Sequence, residues 1–121
     1  MLNVAYNEVK YRFIASSHLD GSIVNLVTGV DIPEGAVVSI NSAGLAILAT
    51  ASTIPVGVAR FARKAGTMLA VDESCIIENK GTSLALTPGT AVFASAAGAV
   101  AGSGTNKVGV ALTANKVKIS I

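Results

Sequence analysis

At 121 residues the chain holds about one domain's worth of sequence. Its formal net charge of +2 is too small to imply nucleic-acid binding. Its single cysteine, Cys75, excludes an internal disulfide.

Hydrophobic residues make up 51%, yet aromatics are only 4% and Trp is absent. The apolar content is therefore mostly Ala and Val, accompanied by 12 Gly. Small side chains bury little area each, so oligomerisation or docking on a larger surface is expected to supply part of the burial. Charged residues are 13%, against about 25% in ordinary globular chains. Part of the surface is therefore expected to be covered by protein. No basic segment leads into an apolar run at the start, so no signal peptide is expected.

In chain order, residues 3–13 alternate, with Tyr6, Tyr11 and Phe13 concentrated there. This reads equally as an anchoring arm and as a first strand packed on its own core. The chain is accordingly divided into an arm or first strand, 1–15, and a single β domain, 16–121. Asp20-Gly21 tips a polar turn, and Ile23 to Thr28 resumes a β-like run. A turn at Pro33-Glu34-Gly35 precedes a strand, Ala36 to Ile40. A hairpin loop, Asn41 to Gly44, and a return strand, Leu45 to Ala49, follow. Val56 to Phe61 is a further strand containing the tetrapeptide Val-Gly-Val-Ala. Strands are also predicted at Thr67 to Val71 and Cys75 to Glu78, with Asp72-Glu73-Ser74 as a solvated turn between them. Thr90 to Ser95 and Ala99 to Ala101 form a second hairpin, although the density of Ala leaves helix as a minority alternative there. Lys107 to Leu112 repeats the Val-Gly-Val-Ala strand, and Lys116 to Ile121 closes the fold.

The last assignments expose a duplication. Residues 32–59 match 86–111: Gly35 aligns with Gly89, Val38 with Val92, Gly44 with Gly98 and, after a short contraction, Gly57-Val58-Ala59 with Gly109-Val110-Ala111. Short strands with turns every eight to twelve residues or so predict an all-β sandwich or barrel built from two related turn–hairpin–strand units. Gly35 to Ala59 and Gly81 to Asn106 lack charge. Their prolines, glycines and hydroxyl residues favour hairpins over membrane spans.

No constellation for catalysis stands out. Ser17-His18-Leu19-Asp20 has the residue types of a hydrolase triad, but triads are assembled from distant segments. The glycines before Lys107 lack phosphate-loop spacing. Asp72, Glu73 and Glu78 are too few carboxylates for a hard-cation site, and Cys75 and His18 too few for a soft one. No cofactor is expected. Cys75 is expected as a small buried hydrophobe. Arg60, Arg63 and Lys64, the one basic cluster, are candidates for salt bridges to a partner.

Pro88-Gly89-Thr90-Ala91-Val92, Gly98, Lys107 to Ala111 and Val117 to Ile121, with the earlier copy at 33–59, resemble the small cement or head-decoration proteins of tailed bacteriophages. The resemblance implies a β-rich structural protein on the outer surface of a virion. Its partner would be the major capsid protein, it would self-associate with a trimer favoured, and it would bind neither nucleic acid nor membrane. It also implies that the arm, through Asn3, Val4, Tyr6, Val9, Tyr11 and Phe13, contacts the capsid. The double copy departs from the simplest members and puts the trimer in question. Two rival readings stay open. Asp31 to Val37 resembles the turn of small β-clip (SAF-like) domains that bind sugars or peptides, and a trimeric phage fibre or adhesin subunit would also use repeats.

Overall fold

The computed structural model describes residues 11–16, 23–80 and 84–121. The expectations for Asn3, Val4, Tyr6, Val9, His18, Asp20 and Gly81 lie outside the described residues. The described chain is nearly all β, in two antiparallel sheets. The strands are β1 (Tyr11–Ser16), β2 (Ile23–Val27), β3 (Val37–Ile40), β4 (Ala46–Leu48), β5 (Pro55–Ala59), β6 (Met68–Asp72), β7 (Ser74–Asn79), β8 (Ala91–Ala94), β9 (Val100–Ala101), β10 (Lys107–Ala111) and β11 (Lys116–Ser120). Where Ala density allowed helix, there is only a single 3-10 turn, Ala96–Gly98. Gly98 and the flanking β-branched residues limit it to that turn.

The duplication is larger than the sequence match. One sheet has the order β2-β6-β5-β3-β4, and the other runs β1-β7-β11-β10-β8-β9. Apart from β1 the two orders are the same, so each copy is a complete five-stranded unit: β2 to β6 and β7 to β11. The registers agree in detail. Gly57 faces Val38 and Val58 faces Val37; Gly109 faces Val92 and Val110 faces Ala91. On the other flank Ala59 faces Val71 and Ala111 faces Val117. Gly35 N–H donates to the Ala59 carbonyl and Gly89 N–H to the Ala111 carbonyl, both at 2.8 Å. Gly35 and Gly89 have φ of 79° and 85°, and Gly44 and Gly98 have 82° and 78°. That is the left-handed turn geometry glycine adopts without strain.

Each unit has its own core. In the first, Ile32, Ala36, Val38, Ala46, Ala59, Leu69 and Val71 form a cluster that the curled sheet encloses. Thr28, just beyond β2, bridges Ala46 in β4 and brings the two edges of that sheet together. The second core, around Ile77, Val92, Val100, Val108, Val117 and Ile119, also takes Val37, Ala49 and Val58 from the back of the first unit. Full burial of each Val or Ile side chain among them is worth about 1.5–3 kcal/mol.

β5 and β10 each lie almost against a neighbouring strand. A Cβ on Gly57 would stand 2.6 Å from Val71 Cγ1 and 2.9 Å from the Asp72 carbonyl oxygen, and one on Gly109 would collide with the Lys118 carbonyl. Gly44, by contrast, has no described atom near its Cβ direction within 4 Å. Gly57→Ala and Gly109→Ala are therefore expected to cost about 1–3 kcal/mol each through forced strand separation. Gly44→Ala should cost only the local left-handed strain of about 1 kcal/mol. Urea unfolding midpoints separate the cases, and equal losses at all three positions would rule out close approach as the constraint.

Candidate functional site

The site candidates are surfaces. The first is the β1 region. Tyr11 is 7% exposed and belongs to the core of the second unit. The Val100 N–H donates to its hydroxyl at 3.0 Å, and burial pushes that hydroxyl from its ordinary 10.0 up to about 12. Tyr11 is thus engaged inside its own domain. Of the two readings of this segment, residues 11–16 follow the first strand. Phe13 is half-buried; its N–H donates to Glu34 Oε2 at 2.9 Å, and the Arg60 guanidinium lies 5.1 Å from its ring centroid. A register irregularity between Phe13 and Ala15 leaves Ile14 41% exposed. Arg12 pairs with Glu78 at 3.3 Å.

The second surface lies at one end of the first unit. Arg63 stacks on Phe61, 4.9 Å from the ring centroid, and its Nε donates to the Met68 carbonyl at 3.2 Å. Phe61 is 49% and Met68 57% exposed, and Val27, opposite Met68 in the ladder, is also exposed. Lys64 is exposed beside them, while its carbonyl accepts the hydroxyls of Thr28 and Thr67. The expected basic cluster is therefore divided. Arg60 rests on Phe13, whereas Arg63 and Lys64 border an apolar patch. Among the described residues none of the three lies in an ion pair. Aromatic, Met and Arg side chains are the types enriched where proteins bind proteins. Phe61 ends the expected strand Val56 to Phe61 and Met68 opens β6, and alternation alone does not distinguish which strand face stays exposed.

The third surface is an open groove of about 400 Å3 lined by Lys107, Gly109, Val110, Lys118 and Ser120. It lies on the back of the second unit.

The acidic turn is corrected. Asp72 is the last residue of β6 and is fully buried. It faces Val58 in the ladder, at the joint between the units. Its Oδ1 accepts the Ser74 N–H at 3.0 Å, and its Oδ2 has no hydrogen-bond partner among the described residues. β6 and β7 follow each other with only Glu73 between, so no loop lifts Asp72 into water. No three His, Cys, Asp or Glu side chains come within metal-holding reach among the described residues. No helix there is long and apolar enough to cross a membrane.

Cys75 is fully buried, as expected. Burial, reinforced by the Asp72 charge, pushes its thiol from 9.0 up to about 12, against the opposing pull of Arg60 and Lys118. Both Cys75 and Tyr11 stay neutral in the fold at pH values where the unfolded chain ionises. Their contribution to stability is thus complete below about pH 9 and is lost as pH rises towards about 12. Cys75→Ala is expected to show a smaller loss of urea midpoint than the parent between about pH 8 and pH 11. An identical loss in parent and variant would remove Cys75 as a contributor. No family model and no curated protein matches the chain.

Proposed function

We propose that this protein is a structural component of a phage virion that binds the outer surface of the capsid and braces the shell, self-associating as it does so. The observation that carries the reading is the Phe61–Arg63–Met68 patch, apolar residues held open to solvent on a rigid sheet end. A low-charge chain with such a patch gains by covering it with protein. The major capsid protein is the proposed partner. Repetition of the site over a shell would multiply individually weak contacts. The β-clip reading has the open Lys107–Lys118 groove in its favour, lined by two lysines and Ser120 beside Gly109 and Val110.

Co-sedimentation with expanded empty heads of the phage encoding this chain tests the proposal. The parent is expected to sediment with the shells. Phe61→Asp combined with Met68→Asp should weaken binding about tenfold or more, as removal of a hot-spot aromatic does. A parent that stays in the supernatant would sink the capsid role.

The arm is tested by a separate truncation. Because Tyr11 is a core residue, the cut has to stop before it. Deleting residues 1–10 is expected to weaken shell binding while circular dichroism keeps its β signature. Unchanged binding would remove the arm from the contact.

A further inference from the structure

The two units pack on each other one way only. The Gly98 turn of the second unit sits on the back of the first. Its N–H donates to the Ala49 carbonyl at 2.8 Å, and a Cβ there would stand 3.0 Å from Ala36 Cβ and from Leu48 Cδ2. Beside it Asn106 Nδ2 donates to the carbonyls of Ala51 and Thr53 at 2.8 and 2.7 Å. Under this joint Ala36 is 2% exposed, and Val37, Ala49 and Val58 are fully buried.

A local two-fold relation would bury the equivalent residues of the second unit as well, and it does not. Thr90, equivalent to Ala36, is exposed; Ala91, equivalent to Val37, is half-buried; Val110, equivalent to Val58, is 37% exposed. Gly89, beside them, has no described atom near its Cβ direction within 4 Å, whereas the Cβ direction of Gly35 is blocked by Tyr11. The other half of the joint is unused on the first unit. Its turn at Gly44, equivalent to Gly98, is open, and Ile40 and Ile54 beside it are 43% and 82% exposed. Ile54 stands where the second unit has Asn106, the residue that anchors the joint within the chain. Each chain therefore uses one turn and one back, and leaves one of each.

From this we infer that a second copy of this chain occupies the open back of the second unit, through its own Gly44 turn and Ile54. The contact is heterologous, turn to back, as it is between the units. It closes into a ring or runs as a chain depending on the rotation. The inference rests on the self-association that the proposed role includes, and supplies the surface for it.

The test is sedimentation of the purified chain over a concentration series up to millimolar. The parent is expected to exceed the monomer mass increasingly with concentration. Ala43→Glu, on the turn, and Val110→Glu, on the back, should each be monomeric alone while keeping the parent's circular dichroism. If Ala43→Glu shifts the thermal midpoint, Ile54→Glu replaces it as the turn variant. An equimolar mixture of a turn variant with the back variant should recover dimers and stop there, because each retains the half the other lacks. A parent that is monomeric throughout would overturn the inference, as would a mixture that stays monomeric or association that neither variant alters. Shell binding is read separately, so a monomer that still sediments with heads overturns this interface and leaves the capsid role standing.

Discussion

Each unit depends on one close approach. At Gly57 and again at Gly109 a strand lies so near its neighbour that no side chain fits between. Beside each glycine the ladder register shifts, bending the strand. The bend is what lets five short strands curl around a core of Val and Ala rather than of aromatics. Large side chains would need a wider space than this curvature leaves. The odd composition, rich in Ala, Val and Gly, suits two small, closely packed units in place of one large sandwich.

The same curvature explains why neither unit is self-sufficient in the same way. The first closes on itself, with Thr28 reaching Ala46 across the sheet. The second completes its core with borrowed residues: Val37, Ala49 and Val58 from the first unit and Tyr11 from β1. The buried Asp72 carboxylate lies at this seam, with one oxygen bonded and one not among the described residues. Such a group is costly unless compensated, and its hydrogen bond from the Ser74 N–H ties the end of β6 to the start of β7.

Most of the architecture was legible in the sequence, because glycine and proline punctuate it. Gly35, Gly44, Gly89 and Gly98 each occupy a left-handed turn where almost no other residue is comfortable, so the strands between them could be bounded closely. The sequence match covers three strands per copy. Two more belong to it, since β2 and β7, and β6 and β11, are equivalent by position while sharing little sequence. The surfaces were less legible. Alternation identifies a strand but not which of its faces another unit covers, and Tyr11 illustrates this: an aromatic in an alternating terminal segment fits an anchor and a core residue equally well. Asp72 shows the same limit. A pair of acids followed by Ser suggests a wet turn, whereas strands that run on with one residue between them leave the first acid inside.

The differences between the copies follow the difference in cover. Where the first unit is covered it carries Ala36 and Val37; the second has Thr90 and Ala91 at those positions. An outer face of a stacked repeat must be polar enough to meet water, so these exchanges suit a surface exposed for part of the protein's life. Val110 was kept at the position of Val58. In the proposed turn-to-back contact, a face with one retained apolar anchor would hold a second copy more weakly than the joint inside the chain holds the two units, so association would depend on how closely copies are held together.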